Sequence, residues 1–304
     1  MWQVFLMYAL FGSIFSVGKI GIEAAPPYFL TAVRMLLAGF LMLIYIIFFT
    51  HQKFQIKKQD WVLFLFVAFF NVFITNAFEF WGLQYMSAGK TCLIYSLSPF
   101  AAAFIAYCIG SETFSYKKLL GLIIGFVSFC PLMLAPWLNN QIESHPMELI
   151  AEGALLISAI TSVIGWTFVK KLVGERNYSP SMVNCVSFLI AGVMSLSTSF
   201  SIEVWDPIPV LIWSDFLYSL FYIVIIHNII CYSIYASVLK KFSVTFMAFA
   251  GLSNPLFAAF FGWLFLNEEM TSLFWLALSG ITTGLYFLYR DEQQLKQALV
   301  ENEC

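Results

Sequence analysis

Three ionisable side chains interrupt apolar runs of this sequence: Lys19, Arg34 and Glu79. A charge at membrane depth is costly unless it is paired, so each is a functional candidate. Asn76 precedes Glu79 by three residues and shares its helical face. His227 and Asn228 lie in the middle of another apolar run, and Asn71 precedes His227 by 156 residues. A buried carboxylate suits the amine or other cation of a small solute, and Arg34 or Lys19 suits a carboxylate. The competing reading is an internal Arg34–Glu79 ion pair that only locks helices together. Lys19, near the end of its run, is also placed to snorkel to an interface.

Aromatic residues form 19% of the chain, enough to line a cavity as well as to pack. Trp81, Tyr95, Trp166, Tyr232 and Tyr235 fall in the same runs as the polar residues. Aromatic faces around one carboxylate suit a cation or a flat heterocycle. No metal-ligand spacing is present, and no cofactor or metal is expected. The motifs HExxH and GxSxG are absent, and Glu268-Glu269 stands at a loop end, so an intramembrane enzyme is a remote reading.

Apolar helices must carry these residues. The chain is 61% hydrophobic and 11% charged, with mean hydropathy +0.85. Soluble domains carry about 25% charged residues. This composition cannot clothe a water-facing surface. The expected class is all-α integral membrane, with spans near 2–22, 28–50, 61–86, 90–110, 117–137, 149–169, 181–201, 213–239, 243–266 and 271–289. The first lacks a basic leader and reads as a retained span.

Charge orients the spans. With ten of them, loops on one side hold 12 Lys and Arg residues, and the opposite loops hold Lys90 with a set of acids. Basic loops stay cytoplasmic, which places both termini in the cytoplasm. The net charge of −2 hides this asymmetry and says nothing of nucleic acid, which is not an expected partner. The six cysteines form no CxxC pair and read as buried thiols.

The text repeats. Pro99–Phe104 (PFAAAF) resembles Pro255–Phe260 (PLFAAF), and Glu112 and Glu268 each follow thirteen residues after the proline. Pro27 and Ala38-Gly39 match Pro180 and Ala191-Gly192, Ser87 matches Ser243, and Gly121-xxx-Gly125 matches Gly280-xxx-Gly284. The predicted division is a first repeat over 1–137, an outer loop over 138–148, a second repeat over 149–290 and a cytoplasmic tail over 291–304. Five spans per copy is odd, so the copies are expected to be inverted, with the site near the midplane between them. Pro99 and Pro255 should break their helices there, freeing the carbonyls of Tyr95 and Gly251. The GxxxG pairs read as close helix packing. A channel would not require two inverted copies.

This ensemble resembles the drug/metabolite transporter superfamily, EamA branch. The match includes Phe11-Gly12, Lys19, Pro27, Arg34, Ser87-Ala88, Pro99, Glu112 and Gly121, then Pro180, Ser243, Pro255, Glu268 and Gly280. It covers nearly the whole chain. One departure is Ser187, which stands where a second Arg34 would fall, so an asymmetric site is expected. The resemblance implies a secondary carrier of a small metabolite in a bacterial inner membrane. The Phe-rich text looks most like the S-adenosylmethionine carriers of chlamydia-type bacteria, which implies uptake in exchange for S-adenosylhomocysteine. Amino-acid or drug export is the alternative. The substrate-binding candidates are Glu79, Arg34, Lys19, Asn76, Tyr95, Trp166, His227 and Tyr232, with helix breaks at Pro99 and Pro255. A homodimer is left open.

Overall fold

The computed structural model describes residues 2–50, 54–85, 91, 94–95, 97–109, 115–138, 147–254, 256–257 and 272–303. Ser87, Glu112, Glu268 and Pro255 of the repeat pattern lie outside them. Every regular element among the described residues is helical. In chain order these are α1 (Trp2–Ala24), α2 (Pro27–Phe49), α3 (Lys58–Leu83), α4 (Ser98–Cys108), α5 (Tyr116–Leu138), α6 (Glu148–Glu175), α7 (Pro180–Ile202), α8 (Trp213–Val238), α9 (Val244–Ser253) and α10 (Ser272–Glu303). Six of them, α1, α2, α3, α6, α7 and α8, are long and apolar enough to cross a membrane. The chain is a multi-pass membrane protein.

Prolines set the starts of α2, α4 and α7, where a missing N–H costs nothing because the first turn has no partner for it. Ser179 caps α7 by accepting the Met182 N–H, and Ser243 caps α9 by accepting the Phe246 N–H. Helix α2 has no cap of its own. The Glu203 carboxylate, which follows α7, accepts the N–H groups of Tyr28 and Phe29 at 2.8 and 2.9 Å. An anion there also meets the positive end of the helix dipole. Helix α10 runs on through Glu303, past the expected span end near 289. Its last stretch is rich in Glu, Gln, Leu, Lys and Ala, which are strong helix formers, and contains no Gly or Pro. Asp291 there accepts a hydrogen bond from Ser115 at 2.6 Å, tying α10 to the start of α5.

The helices pack in pairs: α2 on α7, α5 on α10, α3 on α6, α1 on α8 and α4 on α9. Small residues allow the approach, since lipid offers no hydrophobic drive between helices. A Cβ on Gly39 would lie 2.8 Å from Leu189, and one on Gly192 would lie 2.7 Å from Leu36. These contacts are reciprocal. Gly121 and Gly284 meet in the same way across α5 and α10, each against the other's carbonyl oxygen. The GxxxG residues therefore pack, as their sequence suggests.

Gly192→Val should separate α2 from α7. Overpacking of this kind costs about 1–3 kcal/mol. A detergent-solubilised sample should melt several degrees lower by fluorescence-detected size exclusion, whereas Gly153→Ala, with open space around it, should melt with the parent.

Candidate functional site

Between the helices lies a cavity of about 140 Å³, room for roughly ten water-sized spheres. Its wall carries Tyr8 and Phe11 of α1, Thr75 and Glu79 of α3, Tyr95, Trp166 of α6, His227, Tyr232 and Tyr235 of α8, and Gly251 of α9. Five of the expected site residues thus come together: Glu79, Tyr95, Trp166, His227 and Tyr232.

The backbone around the cavity is irregular in a way that the sequence analysis missed. Val67–Ile74 of α3 and Ile223–Cys231 of α8 are π-helical. Both stretches start 156 residues apart, and Asn71 and His227 hold the same place in each. Wider π turns are rare and concentrate at functional sites, because they shift the side chains that follow to a new face. The pairing of Asn71 with His227 at the repeat offset was the one sequence signal for them. Helix α4 restarts at Ser98 with Pro99 buried in its first turn, just after a turn at Leu97. The break at Pro99 thus occurs beside Tyr95 and Ser98, both in the cavity wall. In α9 the helix tightens to a 3₁₀ turn over Gly251–Ser253. The Gly251 carbonyl, expected to be free, accepts the Asn254 N–H instead. Pro255 itself lies outside the described residues.

Two polar clusters serve the site. The first is centred on Arg34, which has no solvent exposure. Its Nη2 donates to Asn76 Oδ1 at 2.6 Å, and its Nη1 lies 3.1 Å from His227 Nδ1. The guanidinium carbon stands 4.1 Å from the centroid of the Phe80 ring, a cation–π contact. Asn76 Nδ2 in turn donates to the Val72 carbonyl and to the Tyr232 hydroxyl. Arg34 and Asn76 therefore stand behind the cavity wall. In the second cluster Tyr95 donates to Glu79 Oε2 at 2.9 Å. The Tyr95 hydroxyl also lies 2.5 Å from Ser158 Oγ, which donates to the Thr75 carbonyl. Among the described residues Arg34 and Glu79 are not within ion-pair distance of each other. The locking pair considered from the sequence is not formed.

Lys19 is placed elsewhere: its Nζ donates to the Leu83 carbonyl at 3.0 Å, at the end of α3. Trp81 also faces away, packing edge-on against Tyr85 at 5.1 Å. The aromatic wall is formed by Trp166 and Tyr235, stacked at 3.8 Å and 18°, with Tyr232 tilted 5.1 Å from Trp166. Tyr8 and Phe11 of α1 contribute to the same wall and were not among the sequence candidates. The Tyr8 hydroxyl donates to the Met247 carbonyl of α9.

A cavity lined by stacked rings with one carboxylate, in a bundle of apolar helices, can hold a small flat or cationic solute. Comparison with known proteins agrees in kind. The model of the EamA-like transporter family matches residues 1–134 and 149–290. The chain belongs to this family of transporters. It is a carrier protein of the membrane and not an enzyme, and its partners are a small solute and the bilayer. It is 36% identical over 95% of its length to the "S-adenosylmethionine/S-adenosylhomocysteine transporter" of Chlamydia muridarum, covering 91% of that protein. It is also 36% identical over 95% to the protein of the same name in Chlamydia trachomatis serovar L2, covering 88%. The "Uncharacterized transporter YoaV" of Bacillus subtilis is 22% identical over 88% of this chain and is covered over 89%. A solved crystal structure with 14% identity superposes with TM-score 0.73 over 97% of this chain and 96% of its own. At that identity the likeness shows the fold alone.

Phe80→Leu keeps an apolar side chain but removes the ring face beneath Arg34. A desolvated cation–π contact is worth about 2 kcal/mol. The expected result is a lower melting temperature of the purified carrier; an unchanged melt would show that the contact carries no stability.

Proposed function

We propose that this EamA-family carrier takes up S-adenosylmethionine across a bacterial inner membrane and returns S-adenosylhomocysteine. The carrying observation is the 36% identity, over nearly the whole chain, to chlamydial proteins named for that pair. The cavity chemistry agrees. In this reading an adenine ring stacks on an outer face of the Trp166–Tyr235 pair, and the Glu79 carboxylate takes the amine or the sulfonium. One solute carries a sulfonium and the other a neutral thioether. Aromatic faces accept both, by cation–π contact and by sulfur–aromatic contact. Export of an ordinary amino acid or a drug is the alternative; the stacked aromatic wall favours the nucleoside.

The transport cycle in this reading is alternating access between two inverted five-span repeats. Three observations support it. The family match falls into two stretches of similar length. The π-helical stretches of α3 and α8 share one offset. Under that offset the pair α1–α8 exchanges with α3–α6, and α2–α7, α4–α9 and α5–α10 map onto themselves. The one-sided distribution of Lys and Arg supports cytoplasmic termini. No nucleic acid enters the proposed cycle.

Bacterial cells expressing the chain should show saturable uptake of labelled S-adenosylmethionine, competed by S-adenosylhomocysteine and not by methionine. Preloaded S-adenosylhomocysteine should accelerate it. Absence of uptake with the carrier present in the membrane would refute the substrate. Glu79→Gln should abolish uptake at near-parental protein level, and unchanged uptake would remove Glu79 from the site.

A further inference from the structure

We infer that Arg34 does not contact the substrate but acts through His227, fixing the imidazole so that Nε2–H is the cavity's donor for the substrate's carboxylate. The argument begins with donor arithmetic. A guanidinium has N–H donors and no acceptor. Its Nη1 lies 3.1 Å from His227 Nδ1. That contact is a hydrogen bond only when Nδ1 carries its lone pair, which leaves the proton of the neutral ring on Nε2. A second proton on Nδ1 would set N–H against N–H, and cation against cation, at that distance.

Access points the same way. His227 is part of the cavity wall and Arg34 is not. Arg34 has no solvent exposure, and its two terminal nitrogens are engaged by His227 and Asn76. No described residue bonds His227 Nε2. The ring plane is held as well: Phe11 and Tyr232 meet it edge-on at 5.2 and 5.3 Å. The imidazole is therefore oriented on three sides, and the remaining edge serves the cavity. Among the polar groups of the wall, His227 then offers a directed donor and Glu79 a carboxylate acceptor. That set matches the two ends of a zwitterionic amino-acid group. The charged and titratable groups around His227 are Arg34 of α2, Glu79 of α3, Tyr95, Tyr8 of α1, and Tyr232 and Tyr235 of its own helix. With Arg34 against Nδ1, the ring does not take up and release a proton during transport. Arg34 is a positioning residue, and Ser187, at its repeat position, leaves the other half of the site without a counterpart.

This inference rests on the substrate reading only for the identity of the acceptor group, so it is tested in two arms. The first uses no substrate. The chain contains three histidines, so ¹⁵N-histidine labelling of the full-length carrier in detergent gives a simple nitrogen spectrum, and His227→Gln assigns the His227 signals. The expected result is an unprotonated Nδ1, a protonated Nε2 and no titration between about pH 5 and 8. An Nδ1–H form, or an imidazolium in that range, overturns the inference. The second arm measures uptake of labelled S-adenosylmethionine against pH. Gln places an amide N–H near the Nε2 position, so His227→Gln should hold KM within about threefold, whereas His227→Phe should raise it about tenfold or more. Arg34→Met frees the ring, so KM should become dependent on pH between about 5 and 8, and Arg34→Met with His227→Gln should be flat again. A flat profile for Arg34→Met in carrier that reaches the membrane, or parental KM for His227→Phe, overturns the inference. If Arg34→Met fails to reach the membrane, the spectrum and the two His227 variants decide. If the parent takes up no S-adenosylmethionine while the spectrum shows the expected form, the substrate reading falls and the positioning role stands.

Discussion

Arg34 is a cation with no solvent exposure, inside a chain of 61% hydrophobic composition, and much of the surrounding structure follows from satisfying it. A guanidinium in such surroundings needs acceptors, because the cost of stripping its water is large; both terminal nitrogens find one, while Nε has none. Asn76 supplies one oxygen and His227 one ring nitrogen. Phe80 covers a face with its ring. Asn76 and Phe80 belong to α3 and His227 to α8, so α2, α3 and α8 are bound through one charge. Asn76 then reaches Tyr232, and Tyr232 packs on Trp166. The polar support thus leads directly into the aromatic wall, and the same residues that stabilise the cation orient the cavity.

The irregular backbone gathers at this level of the bundle. Two of the three described π-helical stretches, the restart of α4 at Pro99 and the 3₁₀ turn at Gly251 lie by the cavity; the third, Lys171–Glu175, ends α6 away from it. In an apolar environment non-helical backbone is tolerated where it faces protein or a cavity. The glycine contacts act in the opposite sense. Gly39 and Gly192 bring α2 and α7 together, and Gly121 and Gly284 do so for α5 and α10, without an intervening side chain. Close packing of these pairs gives a rigid frame against which the broken helices can rearrange during the proposed exchange.

Glu79 and Arg34 have different roles although both are buried charges. Glu79 reaches the cavity and is braced by Tyr95 and Ser158. Arg34 remains behind the wall. A zwitterionic group between Glu79 and His227 would then feel the field of the guanidinium without displacing its hydrogen bonds. Such preorganisation avoids breaking existing bonds when substrate enters. Aromatic faces can contribute affinity that does not depend on charge, which suits the proposed exchange of a sulfonium for a thioether.

Composition and spacing alone determined the class: a helical membrane protein, with a break expected at Pro99 and small residues where helices meet. These are local or periodic properties, legible because lipid imposes a strict apolar length and proline a fixed φ. The sequence also named Glu79, Tyr95, Trp166, His227 and Tyr232, since polar and large aromatic residues stand out against an apolar background. It could not decide which faces of those helices converge. Lys19 was a candidate by depth, yet its partner is the Leu83 carbonyl, a contact across 64 residues of chain. Trp81 and Trp166 read alike, but only Trp166 faces the cavity. The Arg34–Glu79 pairing was plausible by depth, and the fold gave Arg34 to Asn76 and His227 instead. Tyr8 and Phe11 join the wall because α1 is placed on α8. Which side chain faces which is set by helix rotation, and rotation here depends on π turns and glycine contacts that link distant segments. Those are properties of the tertiary structure, and pattern along the chain does not encode them.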